Sequence, residues 1–317
     1  MTRQQSPIAR SAARMGCGLA LGALLALGWG AQASAAQDYR PQPGQTPIQS
    51  SDSQSFFGKM MDYIENNSYG RLGAMRFQYY GSSSNLHVDN ATGLAAQAFG
   101  PGGSDLAHTG SSAGNLTTLG AVLGLYLPKT GHHLAVEVQL APPLKLDFQT
   151  SGDAVDKSLA PTALNGANGG SIPTGVPPLG KNLGTFKALP PNFTIVYRPW
   201  TTTLVQPYIG AGAMYLYTYD TDVNNKVLNA YGEPSLYLSK PVACVGQLGS
   251  DFKLPNNMFL NLDVKYVGCA DVKSRVSNIK VNSPTLSPTF GAVDVGSVSS
   301  TNHFRAVLYS LSFGMHF

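Results

Sequence analysis

The chain has 317 residues with 21 Lys and Arg against 17 Asp and Glu, a near-neutral balance that argues against a nucleic-acid partner. Charged residues are only 12% of the chain, against about 25% in typical soluble domains, while Gly (35) and Tyr (15) are plentiful. That composition fits a barrel whose outer wall faces lipid.

Residues 1–35 read as a secretory signal peptide. Arg3, Arg10 and Arg14 precede an apolar run from Gly16 to Trp29, and Ala33-Ser34-Ala35 offers small residues for cleavage. The run is too short to cross about 30 Å of hydrocarbon as a helix, and no later stretch supplies about 20 uninterrupted apolar residues. Cys17 lies at the start of the run rather than after it, the wrong place for a lipoprotein anchor. Cleavage would leave 18 basic against 17 acidic side chains in 282 residues. Residues 36–68 form a lead-in, rich in Gln, Pro and Ser over 37–55 as disordered segments are. Phe56, Phe57, Met60, Met61 and Ile64 then recur at helical spacing, which suits either a short amphipathic helix at the periplasmic mouth or a mobile tail.

From Tyr69 to Phe317 the chain breaks into eight alternating segments, and the expected fold is all-β, an eight-stranded antiparallel transmembrane β-barrel. The strands are read at 69–81, 114–127, 132–149, 184–198, 206–219, 236–252, 258–273 and 298–317. In the last of these Val307, Tyr309, Leu311, Phe313, Met315 and Phe317 share one face, while Ala306, Leu308, Ser310, Ser312, Gly314 and His316 share the other. As a soluble edge such a strand would template other chains; closing a barrel removes the edge. Its terminal Phe also resembles the carboxyl-terminal signal of bacterial outer-membrane proteins. Short turns at 128–131, 199–205 and 254–257 would face the periplasm. The long connections 82–113, 150–183, 220–235 and 274–297 would face outward as mobile loops rich in Gly, Ser, Asn and Pro.

Charges facing hydrocarbon cost roughly 2–4 kcal/mol each for Lys or Arg at mid-membrane, so the strand charges should point inward and pair. Arg76, Glu137, Arg198, Gln247, Asp251, Asp263 and Lys265 are therefore expected to form a polar plug in the lumen, which in an eight-stranded barrel is only wide enough for side chains. Proline cannot donate to a sheet ladder, yet Pro142-Pro143 interrupts the third strand and Pro190-Pro191 the fourth at similar height. The pairs mark either a lateral opening lined by Leu140, Leu144, Phe148, Leu189 and Phe193, or the point where strands leave the membrane. In the fifth strand, an inward face of Gly210, Gly212, Met214 and Leu216 would make the upper lumen apolar; Ile209, Ala211, Ala213 and Tyr215 would not. Cys244 falls opposite Cys269 across an Asn256-Asn257 turn, but their parities disagree, so a disulfide needs a bulge near Gly268; otherwise both are unpaired. The six histidines show no metal-ligand spacing, no Ser, His and acid set stands out, and no cofactor signal is present, so an enzyme is not expected.

Leu189-Pro190-Pro191, the run from Gln206 to Gly212, and Gly246-Gln247-Leu248-Gly249 with Asp251-Phe252 resemble the OmpW family of outer-membrane proteins in order and spacing. Gly70-Arg71-Leu72-Gly73, Glu137 and Ala141-Pro142 are compatible, so the resemblance covers about 69–317. It implies an outer-membrane location and passage of small hydrophobic molecules inward, with lipid and apolar solutes as partners. A monomer or weak oligomer is expected. A structural or adhesive barrel whose loops bind a partner or phage is the alternative.

Overall fold

The computed structural model describes residues 52–165 and 170–317; the signal-peptide reading and residues 36–51 of the lead-in lie outside these residues. A helix α1 (Asp52–Asn66) precedes the barrel, and its Tyr63 hydroxyl donates to the carbonyl of Tyr126 at 2.8 Å.

The first stave of the wall is β1 (Ser68–Tyr79), followed outside the membrane by β2 (Ser82–Ser83), β3 (Leu86–Asp89), helix α2 (Gly93–Phe99) and β4 (Asp105–Leu106). The second descends as β5 (Thr109–Ala113) and β6 (Leu116–Tyr126), and the third climbs as β7 (Leu134–Leu140) and β8 (Leu144–Gly152). A loop carrying α3 (Asp153–Asp156), β9 (Thr162–Asn165) and β10 (Gly170–Pro173) leads to the fourth, β11 (Asn182–Leu189) then β12 (Asn192–Tyr197). The fifth is β13 (Val205–Tyr215) then β14 (Tyr217–Val223), and the sixth β15 (Ser235–Leu238) then β16 (Val242–Lys253). The seventh and eighth are continuous, β17 (Met258–Val281) and β18 (Val293–His316), joined through α4 (Ser287–Phe290).

The lower halves close a ring in the order β17, β16, β13, β12, β7, β6, β1, β18, with β18 pairing back onto β17, every pairing antiparallel. The alternation predicted for the ring is explicit. Leu260, Leu262, Val264 and Tyr266 on β17, and Tyr309, Leu311, Phe313 and Met315 on β18, are exposed to the outside, while Asn261, Asp263, Lys265 and Leu308 are buried within. The 11 residues of β13 match the roughly 9–11 that a tilted strand needs to cross hydrocarbon. Turns at the periplasmic end are tight. Asn256 and Asn257 both take positive φ (61° and 57°), the two-residue geometry whose twist matches flanking strands.

Above the ring the fold departs from the sequence reading. Instead of loops beyond residues 273 and 219, the chain continues as sheet: β17 and β18 pair out to Val281 and Val293, and β5, β8, β11 and β14 form a separate four-stranded sheet. The residues that hold this upper storey together are apolar and inward, among them Val276, Ile279, Val281, Val293 and Val295, which the dominance of Ser and Asn in the local sequence hides. On its outer surface Asp89 accepts from Arg275 at 2.9 Å and from Ser299 at 3.2 Å. Partial burial pushes its carboxyl up, but these donors outweigh it and hold the carboxyl below the usual carboxylate range.

One predicted position is corrected. Arg76 is exposed on the outer face, with Met75 (3% exposed) and Phe77 (6%) turned inward. The sequence reading put the apolar residues of the first strand outward, but the lumen at that height is itself apolar. Arg76 lies opposite Tyr309, near the outer end of the apolar belt, where its long side chain can reach headgroup water.

Candidate functional site: an apolar chamber over an ion-paired floor

The periplasmic half of the lumen is filled by charge. Arg71 is bonded to Glu137 at 2.8 Å, Arg198 approaches Glu137 at 3.4 Å and Asp251 at 3.2 Å, and Lys265 pairs with Asp263. Three cations meet three carboxylates. Tyrosines join the pairs: Tyr69 donates to Glu137 at 2.6 Å and Tyr208 to Asp263 at 2.9 Å. Gln247 bridges Glu137 (2.9 Å) and Asp263 (3.0 Å), and Asn261 bridges Asp251 (2.6 Å) and Tyr208 (2.8 Å). The ring of Tyr69 lies over Gly124, where a Cβ would sit 2.0 Å from it, and Tyr208 lies over Gly249 at 2.4 Å. Glycine on the neighbouring strand is what lets the phenols lie flat across the lumen.

Six of the seven residues predicted for the plug are thus brought together: Glu137, Arg198, Gln247, Asp251, Asp263 and Lys265. Arg76 is not among them. Arg71 takes its place, and Tyr69, Tyr208 and Asn261 were missed. Charge balance could not separate the two arginines, because Arg76, Arg198 and Lys265 match three carboxylates as well as Arg71, Arg198 and Lys265 do.

Above this floor the lumen turns apolar. A cavity is walled by Met75, Phe77, Leu146, Phe186, Leu308 and neighbours, and leaves about 80 Å³ in which the centre of a water-sized sphere can move. At about 10–15 Å³ per water that is space for several waters, yet almost every wall atom is carbon, so it suits an apolar occupant better. Gly210, Met214 and Leu216 do face inward on β13 and just beyond it, and Ile209, Ala211 and Tyr215 face out. The floor begins where Gln139 contacts the Met75 sulfur at 2.8 Å.

The wall is interrupted at the height of the cavity. Between staves three and four, pairing ends at Gln139 with Asn192 and resumes at Leu144 with Ala188, and both proline pairs fall in the interval. A longer break separates staves two and three. There the ladder stops at Ala121 with Leu140 and resumes with the Gly114 amide on the Asp147 carbonyl at 3.1 Å. Residues 115–120 therefore face residues 141–146 with no ladder pairing, a slot about 20 Å long at about 3.3 Å per residue. The cause is local: Ala141-Pro142-Pro143 carries the chain out of register from β7 to β8, and Pro142 and Pro143 are exposed at that bend.

The predicted path residues straddle this seam rather than line one passage. Leu144, Phe148, Pro190, Met214 and Leu216 wall the cavity. Leu140, Leu189 and Phe193 lie outside, 39%, 38% and 54% exposed. The half-buried Pro191 accepts from the Tyr215 amide through its carbonyl at 3.1 Å. Cys244 and Cys269 are bonded on the outer face with Cα atoms 5.6 Å apart. The bulge this needs is present: register slips between Val267 and Ala270, and Cys269 takes φ 58°.

The OmpW family model matches residues 167–294, a stretch that contains the Leu189-Pro190-Pro191, Gln206–Gly212 and Gly246–Phe252 segments. Among solved structures, the chain is similar to the outer membrane protein OprG of Pseudomonas aeruginosa, at 20% identity and a TM-score of 0.56 over 80% of this chain and 97% of that one. It also aligns with the outer membrane protein AlkL, at 19% identity and a TM-score of 0.46, covering 80% of this chain and 91% of that one. No curated protein sequence matches the chain.

Proposed function

From the premise that an OmpW-family segment is built into an eight-stranded outer-membrane barrel, we propose that this protein passes small hydrophobic molecules from the exterior into the outer membrane by lateral release. The observation that carries this reading is the apolar cavity set directly on an ion-paired floor, with the wall unpaired beside it. An apolar solute gains nothing by continuing downward. Crossing the floor would mean displacing paired charges, whereas stepping sideways between residues 115–120 and 141–146 leads to lipid as apolar as the cavity. Leu119, 61% exposed, and Leu140 flank the lower end of the slot on the lipid side, which supports an exit at membrane depth.

Uptake of a long-chain alkane by cells producing the protein tests the route. The comparison is a variant with Pro142, Pro143, Pro190 and Pro191 replaced by Val, which restores ladder donors at the seam. Provided the variant inserts and keeps its β-sheet circular dichroism, uptake should fall severalfold. Unchanged uptake would overturn lateral release, and no uptake even with the unaltered protein would favour a barrel whose outer loops bind a partner.

A further inference from the structure

The outer face of β17, β18 and β1 changes character with height. Leu260, Leu262, Leu311 and Phe313 are exposed at the level of hydrocarbon, and Tyr266, Tyr309 and Tyr80 stand above them, 50%, 43% and 55% exposed. Amphipathic rings of this kind mark the membrane interface. Arg76, Arg305 and Lys273, all exposed, climb from the tyrosines toward the exterior. Arg76 pairs across the ladder with Tyr309, four residues below Arg305, and Lys273 pairs with Thr301, four residues above it. At about 3.3 Å per residue the three cations stand about 13 Å apart along the wall.

None of the three is in an ion pair among the described residues, although their neighbours are. Arg275 bonds Asp89 at 2.9 Å, His303 bonds Asp271 at 2.7 Å and His87 bonds Asp105 at 2.8 Å, so each acid of this face already holds a partner. An exposed cation needs no ligand for stability. A second feature points to one: above Lys273 a groove of about 630 Å³ opens on the same face. Tyr237, Arg275, Ser299 and His87 form one row across its four strands, and Lys273 and Thr301 lie in the row beneath. Asn85 and Ser84 rim it. Hydroxyls, an amide and an aromatic ring there offer the mixed donors and acceptors that sugar hydroxyls require.

We propose that this face seats a lipopolysaccharide molecule of the outer leaflet. Its acyl chains lie on Leu262 and Leu311, its phosphates meet Arg76, Arg305 and Lys273, and its inner sugars enter the groove. From the membrane core outward such a lipid carries acyl chains, a phosphorylated disaccharide and further sugar, and the wall presents apolar, cationic and hydroxyl-bearing surface in the same order. A guanidinium suits phosphate because it can donate two parallel N–H bonds. A phospholipid has chains and a phosphate but nothing to fill the groove. The site needs only the outer-membrane location and does not depend on how the apolar chamber is used.

The test titrates the whole protein, in non-ionic detergent micelles, with lipopolysaccharide, with the same lipid stripped of its phosphates, or with phosphatidylglycerol, and counts bound lipid by native mass spectrometry. Saturable binding of lipopolysaccharide is expected, at least tenfold tighter than either of the others. The triple variant Arg76→Gln, Arg305→Gln, Lys273→Gln should weaken it at least tenfold. Lys145→Gln, Lys181→Gln, Lys226→Gln removes the same charge from exposed positions on other parts of the molecule and should leave it within twofold. All six side chains are exposed, so both variants should keep the β-sheet circular dichroism. Equal weakening in the two variants would reduce the effect to net charge and overturn the proposal. Equal affinity for the phosphate-free lipid, or tighter binding of phosphatidylglycerol, would overturn it on the unaltered protein alone.

Discussion

At the scale of single residues, the molecule separates charges that must be paired from charges that need only reach water. Glu137 accepts from Arg71, Arg198, Tyr69 and Gln247 at 1% exposure, so removing its charge leaves three buried cations facing two carboxylates. Breaking a buried pair in this way costs about 3–5 kcal/mol. Glu137→Gln should therefore lower the unfolding free energy by about that much, read from urea unfolding in lipid vesicles. Arg76 makes the opposite case. It is exposed at the outer end of the belt, and Arg76→Gln should stay within about 0.5 kcal/mol. Equal losses from the two substitutions would contradict the assignment of Arg76 to the outer face. The sequence exposed most of this network, because a charge within a membrane strand has few places to go. It misplaced Arg76 because the alternation rule assumes a polar lumen, and here Met75 and Phe77 find an apolar one.

At the scale of elements, five of the eight staves are each built from two strand segments while β17 and β18 run unbroken for 24 residues each. The prolines account for two of these breaks, and the Pro241 break between β15 and β16 adds a third beside the disulfide. Cys244 and Cys269 join β16 to β17 where that pairing ends, at Cys244 with Gly268. Closing a loop over a separation of 25 residues constrains the unfolded chain by about 3 kcal/mol in the chain-entropy account. Paired replacement of both cysteines by Ser should lower stability by about 3 kcal/mol, and reductant should shift the urea midpoint of the unaltered protein but not of the variant. A shift of the same size in both would show that the bond is absent. The alternation of apolar residues located these staves. Whether Cys269 could reach Cys244 was beyond it, because a bulge reverses parity and two sequence-neighbouring residues at 268–269 give no sign of which will be skipped.

At the scale of the whole molecule, the barrel is stacked in storeys: an ion-paired floor, an apolar chamber with a broken wall, and an extended upper sheet lined by Val, Leu and Ile. The chamber is the storey on which transport depends. Ala188 (8% exposed) lines it, and Ala188→Phe should fill much of its free space and reduce apolar uptake by more than half, with the β-sheet circular dichroism unchanged. Uptake at the original level would remove the chamber from the route. From the sequence by itself came the eight strands, their direction across the membrane, the polar plug in outline and the height of the proline breaks. Each of these follows from a rule acting along one strand: period-two alternation, the cost of charge in hydrocarbon, and the missing amide of proline. Only the tertiary structure decided that Arg71 rather than Arg76 completes the floor, that ladder pairing is also lost between staves two and three, and that the outer segments continue as sheet. Those features depend on which residues face each other across strands distant in sequence, and register between such strands is set by the packing of the closed barrel.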